Sequence, residues 1–382
     1  MKIFIKIIIF LCINSFIYNQ NASAAEKIKI GLLVPMSGEH AEMGKSIVKS
    51  IRMAINKIDN PLIEIVPKDT NSNPNTTLKN AQKLKDEGVK IIIGPIFNKN
   101  LIYLDEVKDV IFISLTNKSI KNSKNIISAG INSTSQMNTI SKFIQNNKIK
   151  DTIILIPEED YKIEIKIAVK KSNIKNKIYY YDSAPTKLTK QIEKITEYDK
   201  RKNNLKDEIV RLESSNDPNK EKKIERLNKK DTLGKVKFDS VIIADFDENL
   251  KSITTSLFYT DVSPKDVYFI TLNQWFDESL LYEVSSQPIY FPSINYKNYK
   301  KFIKDYYEVF KEYPNQLSFL SYDLIGLVYY SILQNNFIVD ETIFIKKNKF
   351  KGKIGIFEIK KNKINHILNF YKVEDGKFKK IF

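Results

Sequence analysis

The chain has 382 residues, 42% of them hydrophobic, with 62 Lys and Arg against 45 Asp and Glu. That composition supports a sizeable buried core, leaves room for two domains at about 150 residues each, and excludes a disordered chain. The formal charge of +17 does not read as a nucleic-acid footprint, because lysine is scattered along the chain rather than gathered on one face or interleaved with aromatics.

Residues 1–25 stand apart. Lys2 and Lys6 precede an apolar run from Ile7 to Ile13, and Ala22-Ser23-Ala24 supplies small residues for cleavage, so the segment reads as a secretory signal peptide. The only cysteine, Cys12, lies inside it, which predicts a mature chain with neither disulfides nor a thiol nucleophile. No later stretch approaches the ~20 apolar residues of a membrane span. The expected product is an exported, periplasmic protein that is not membrane-spanning.

After the leader, Ile28 to Val34 reads as a buried strand running through the turn Pro35-Met36-Ser37-Gly38 into a helix opening near Ala41. Its apolar positions Ile47, Ile51, Ala54, Ile55 and Ile58 form one stripe. A second strand (Leu62 to Pro67), a helix (Thr76 to Glu87) closed by Gly88, and a β-branched strand (Val89 to Ile93) follow. Gly94-Pro95 turns the chain past Asn98 into a short helix, and the next strand, Val110 to Leu115, exits through Ser114-Leu115-Thr116. Another series starts near Asn132: a helix (Ser135 to Gln145), the strand Thr152 to Ile156 with exit Pro157 to Tyr161, a helix to Ser172, and the strand Lys177 to Asp182. This β-α-β-α alternation predicts doubly wound parallel sheets.

Residues 186–232 depart from the pattern. They are heavily charged, with Ile192, Ile195, Leu205, Ile209, Leu212, Ile224 and Leu227 at roughly helical spacing, and read as an inserted hairpin of two helices, either a solvated excursion or a partner-docking arm. Regular units resume with the strand Ser240 to Ala244 (exit Asp245-Phe246-Asp247) and the strand Val267 to Leu272 (exit Asn273-Gln274-Trp275). Phe291-Pro292-Ser293 reads as a crossing segment. Helices at Tyr296 to Phe310 and Ser318 to Leu333 follow, then a C-terminal β-hairpin.

The sequence offers little to an enzyme. His40 and His366 have no partner at ligand or triad spacing, and the nucleophile elbow, phosphate loop and dinucleotide fingerprint are absent. No catalytic residue, metal site or cofactor is expected. Instead the strand exits carry hydrogen-bonding and stacking groups: Ser37, Gly38, Asn98, Ser114, Thr116, Tyr161, Asp245, Asn273 and Trp275. Open α/β sheets bind ligands at such edges, and two facing sheets would bring these residues around one small polar ligand.

Ile30 to Gly38 with Gly44, then Ile93-Gly94-Pro95, Ile113 to Thr116, Asp160-Tyr161, Ser321-Tyr322-Asp323 and the segment Gly352 to Phe357 occur in an order that resembles the type I periplasmic binding proteins, the fold of leucine/isoleucine/valine-binding proteins. Lys230 to Gly234, Phe238 to Val241 and Trp275-Phe276-Asp277 resemble the alphaproteobacterial penicillin-binding protein activators within that group. The resemblance implies two Rossmann-like lobes, 27–131 with 292–350 and 132–291 with 351–382. It also implies non-enzymatic capture of a small polar, amino acid-like solute for uptake or sensing, with an ABC transporter permease as partner. The alternative it implies is an envelope adaptor acting on a peptidoglycan synthase. Three positions depart from the amino-acid-binding pattern. Asn98 or Asn100 stands where a serine follows the Gly-Pro turn, Lys162 follows Tyr161 in place of glycine, and Asn273 stands where an acidic residue pairs with the ligand ammonium. An amide there forfeits a charge-assisted bond of typically ~1.5–3 kcal/mol.

Overall fold

The computed structural model describes residues 27–382 except 119, 121, 122, 273, 341, 346, 361 and 362. The leader at residues 1–25 and the ligand candidate Asn273 therefore lie outside the described residues.

The chain folds as two α/β lobes. In the first, β1 (Ile28–Val34), β2 (Ile63–Asp69), β3 (Ile91–Ile93), β4 (Ile111–Ser114) and β5 (Ile126–Ser128) form a parallel sheet of order β2-β1-β3-β4-β5. β1 lies between β2 and β3, with Ile30 opposite both Ile65 and Ile91. Ile30 to Val34 and Ile91 to Ile93 are buried, as expected of parallel strands covered on both faces. Helices α1 (Ala41–Ile58) and α2 (Pro74–Asp86) provide cover. Gly44 is required in α1 because a Cβ there would stand 1.6 Å from the Pro35 carbonyl oxygen, so only glycine lets the helix start against the strand exit.

The second lobe contains α3 (Ser133–Asn146), β6 (Thr152–Pro157), α4 (Lys162–Lys171), β7 (Asn176–Tyr181), α5 (Pro185–Ile195), α6 (Tyr198–Glu213), α7 (Lys220–Leu227), β8 (Ser240–Ile243), α8 (Asp247–Tyr259), β9 (Tyr268–Thr271) and the short α9 (Ser279–Tyr282). With β10 (Ile289–Ser293), these strands pair in parallel as β10-β9-β8-β6-β7. The chain then returns to the first lobe, where α10 (Tyr296–Phe310) and α11 (Gln316–Gln334) pack on α1. Ser46 Oγ and Ser318 Oγ are 2.7 Å apart, and Ser50 Oγ donates to the Ser318 carbonyl at 2.5 Å.

Two segments differ from the sequence-based expectation. The charged excursion holds three helices, not two. The chain breaks at Glu197, which adopts a left-handed φ of +53°, and the preceding α5 buries Leu188 and Ile192 against α8 as part of the lobe. Only α6 and α7 form the arm, so Ile192 and Ile195 do not belong to its seam. The C-terminal region is also more than one hairpin. β11 (Asn348–Lys351), β12 (Ile356–Ile359) and β13 (Ile364–Ile367) form a separate antiparallel sheet, whereas β14 (Asn369–Glu374) and β15 (Lys377–Lys380) extend the second lobe's sheet beyond β10. The apolar run His366 to Val373 breaks at Leu368 between two sheets, which alternation alone could not reveal.

Where the chain crosses between lobes, polar groups are buried and bonded. His366 Nε2 donates to the Ala129 carbonyl at 2.8 Å, and the His366 amide donates to Ser135 Oγ at 2.9 Å. The Asn295 amide donates to the Ile354 carbonyl at 2.8 Å, and the Ile354 amide to Asp323 Oδ2 at 2.6 Å. Burial lowers the His366 pKa to about 4 against the pull of the Ala129 carbonyl. Burial raises Asp323 to about 7 even though the amides of Ile354 and Lys353 favour its ionised form.

Candidate functional site

The exits of the two sheets face each other across a cleft of about 1040 Å³. Its first-lobe wall is built from the β3 and β4 exits. After β3, Phe97 opens a single 3₁₀ turn, Asn98–Leu101, so that Phe97, Asn98 and Lys99 line the cleft. Phe97 lies 4.6 Å from the His40 ring, and Lys99 Nζ stands over it at 5.9 Å, which braces the aromatic against the wall. After β4, Ser114 Oγ donates to the Pro95 carbonyl at 2.6 Å and accepts the Thr116 amide at 3.2 Å. Thr116 Oγ1 accepts the Lys118 amide at 3.3 Å. These bonds fix a turn that presents Thr116, Asn117 and Lys118 to the cleft. The crossing at Gly130 lies against the same turn, its amide donating to the Thr116 carbonyl at 3.0 Å. Tyr299, from α10, and Gln316 and Leu320, from α11, complete this side.

The second-lobe wall comes from the β8 and β9 exits: Phe246 and Asp247 at the start of α8, and Trp275 to Glu278 after β9. Trp275 and Phe276 both adopt positive φ, +48° and +59°. Such backbone in a non-glycine residue persists only where surrounding contacts over-determine it. Phe276 supplies those contacts: its ring centroid lies 4.5 Å from Tyr296, 4.9 Å from Tyr371 and 5.3 Å from Phe378. Anchored there, the loop points Trp275, Asp277 and Glu278 toward the cleft.

Of the residues singled out in the sequence, Asn98, Thr116 and Trp275 line this cavity. Ser114 is fully buried beneath Thr116 and shapes the turn instead. Ser37 and Gly38 stay in the β1–α1 turn, where Ser37 Oγ donates to Asp69 Oδ2 at 2.5 Å and a Cβ at Gly38, whose φ is +75°, would meet Asn71 Oδ1 at 2.7 Å. Burial would raise the Asp69 pKa, but donors from Ser37, Asn71 and Met36 outweigh it and hold the carboxyl below its usual value. Tyr161 and Asp245 are brought together away from the cavity lining. Asp245 is buried and accepts the Tyr181 hydroxyl at 2.5 Å, the Phe246 amide at 2.9 Å and the Tyr161 hydroxyl at 3.4 Å. Burial, then the Asp245 charge, raises the Tyr161 pKa, which keeps it a neutral donor. Asp245 thus positions the start of α8, and its neighbour Asp247 reaches the cleft.

The strand-exit reasoning missed Lys99, Lys118, Asp247, Asp277 and Glu278, each one to three residues beyond a position it chose. It also missed Tyr299 and Gln316, because nothing local in sequence says that the late helices α10 and α11 reach over an early strand's exit. Among the described residues no group of three or more His, Cys, Asp or Glu could hold a metal ion, and no helix is long and apolar enough to cross a membrane.

Two doubly wound lobes, joined by several crossings and facing each other through their strand exits, define the type I periplasmic binding protein fold. The comparisons agree. The periplasmic binding protein family pattern matches residues 27–172. A leucine-binding protein from Thermotoga maritima, LivK, is 16% identical with a TM-score of 0.58, over 93% of this chain and 98% of its own. A putative branched-chain amino acid ABC transporter protein from Rhodospirillum rubrum is 12% identical with a TM-score of 0.71, over 93% and 100%. The C-domain of LpoA from Haemophilus influenzae, a regulator of PBP1A, is 16% identical with a TM-score of 0.60, again over 93% and 100%. No curated protein sequence matches significantly.

Proposed function

We propose that this chain is a non-enzymatic periplasmic binding protein that captures a small polar solute between its lobes for uptake or sensing. In this reading the lobes comprise 27–131 with 292–350 and 132–291 with 351–382, and the leader directs export. The observation that supports it most is the cleft itself: about 1040 Å³, lined from both lobes by hydrogen-bonding, charged and aromatic groups held on braced turns. Ligand contacts on both walls favour the closed arrangement by their differential affinity, and a transporter permease would read that closed form. Capture predicts that a cognate solute at about 100 times its Kd stabilises the chain by about 2.7 kcal/mol. A thermal-shift screen of amino acids, short peptides, sugars and aromatic acids, followed by small-angle scattering for lobe closure, tests this. A flat screen across all classes would sink it.

A second reading is favoured by the arm. Arg201, 4% exposed, roots α6 by donating from Nε to the Thr196 carbonyl at 3.0 Å, from Nη1 to Thr232 Oγ1 at 3.0 Å and from Nη2 to the Thr260 carbonyl. Thr232 Oγ1 in turn donates to Asp261 Oδ2 at 2.6 Å. A charged arm rooted in this way suits docking on a partner protein, and the similarity to the LpoA C-domain makes a peptidoglycan synthase the partner to test. Deleting residues 198–232 and losing synthase binding, with a flat solute screen, would favour the adaptor over capture.

A further inference from the structure

We propose that the captured solute is an unblocked short peptide, laid across the cleft with its carboxylate on the first-lobe wall and its ammonium on the second. This rests on the capture reading above and adds the ligand class. The walls carry opposite charge. Lys99 and Lys118 face the cavity from the first lobe; Asp247 and Glu278 face it from the second. All four are exposed, and among the described residues none of them forms an ion pair. Asp277, beside Glu278, is engaged locally, accepting the amide and hydroxyl of Ser279 at 2.9 Å and 2.7 Å.

This polarity discriminates among solutes. A dicarboxylate gains from one wall and is repelled by the other, and so is a polyamine. A free amino acid carries both charged groups on a single carbon, so it spans less of the cleft than a ligand whose charges lie farther apart. A ligand with its charges separated by several bonds can engage both, and each contact becomes a charge-assisted hydrogen bond. The cavity is at the top of the range of about 300–1,000 Å³ typical of small-molecule pockets, which suits a ligand several times the size of one amino acid. Both walls also carry uncharged groups. Asn98, Asn117 and Gln316 offer carboxamides, each both donor and acceptor, that match the amide and carbonyl of a peptide bond. Phe246, Trp275 and Tyr299 give apolar faces for short side chains. Lysines on one wall and carboxylates on the other, with carboxamides and aromatics in the same lining, supply the kinds of partner that an unblocked peptide needs.

The test is calorimetric titration of the full mature chain at low salt with trialanine, a mixed tripeptide pool, N-acetyl-trialanine, trialanine amide and alanine. The expected result is that a free tripeptide binds, that blocking either end weakens binding about tenfold or more, and that alanine binds at least about tenfold more weakly. The double variant Asp247→Asn/Glu278→Gln weakens the free peptide but not its N-acetyl form, and Lys118→Ala weakens the free peptide but not its amide. If a variant fails to fold, the blocked peptides on the unaltered chain decide the matter. Alanine or another singly charged solute binding as tightly as tripeptides, or blocked and free peptides binding alike, overturns the peptide assignment and leaves capture standing. Silence from this panel and from the wider screen overturns both.

Discussion

The hinge, where the chain crosses between the lobes, and the cleft treat charge in opposite ways. At the hinge, His366 and Asp323 are buried, bonded to backbone groups, and pushed by desolvation toward their neutral forms. In the cleft, Lys118, Asp247 and Glu278 remain in solvent without a countercharge among the described residues. Buried polar groups with every partner in place specify one geometry, whereas exposed charges with none contribute little to stability and are free to meet a ligand. The crossing is fixed by its own bonds, whereas the cleft leaves its charges exposed.

The largest effect is expected where the two regions touch. A Cβ at Gly130 would stand 2.4 Å from the Thr116 carbonyl oxygen and 2.7 Å from the Asn117 nitrogen, both backbone atoms of the first-lobe wall. Gly130→Ala must therefore displace either the crossing or the turn that presents Thr116 and Lys118. The expected loss is about 3 kcal/mol in urea unfolding, at the upper end of overpacking effects, together with loss of solute binding. A change below about 0.5 kcal/mol would show that wall and hinge are not mechanically joined here.

The hinge groups give the next effect, and their signs oppose. His366 has a folded pKa of about 4 against an ordinary 6.5, so between these values the unfolded chain binds more protons, and this contribution falls as pH drops through that window. Asp323 has a folded pKa of about 7 against 3.8, so the folded chain holds the proton longer, and its contribution falls as pH rises from 3.8 to 7. Chemical denaturation from pH 4 to 7 should thus be flatter for the unaltered chain than for either variant. Asp323→Asn leaves stability rising with pH by about 2–3 kcal/mol, whereas His366→Gln leaves it falling. Slopes of the same sign in both variants would refute the opposition.

How much of this was legible in the sequence depends on whether local pattern sufficed. Ile28 to Val34, the α1 stripe and the alternation of units declared themselves because a parallel strand buried on both faces is a continuous apolar run and a covering helix is a stripe. Asn98, Thr116 and Trp275 were legible because they follow strands directly, where α/β sheets place their ligands. Tyr161 and Asp245 follow strands too, but a long-range bond between β6 and β8 exits turns them toward each other, and no local spacing encodes that. Ser37 was diverted likewise by Asp69, 32 residues away. The break at Glu197 was hidden because both helices it separates carry the same charged, sparsely apolar pattern, and only burial distinguishes them.

The smallest predicted effect sharpens the comparison furthest. Lys118→Ala and Glu278→Gln remove charges that no group among the described residues neutralises, and Asp247→Asn removes one from the first turn of α8, so each change should stay within about 1 kcal/mol. Each variant should unfold in urea within that margin of the unaltered chain. Removing a group from each wall together should be additive, since no pair links them. Near-silence in stability is the required companion of a large loss in binding, because a residue kept for the ligand leaves the empty protein indifferent to its removal. A loss above about 1 kcal/mol from any of the three would mean that the cleft charges hold the fold, as His366 and Asp323 do, and the contrast between hinge and cleft would disappear.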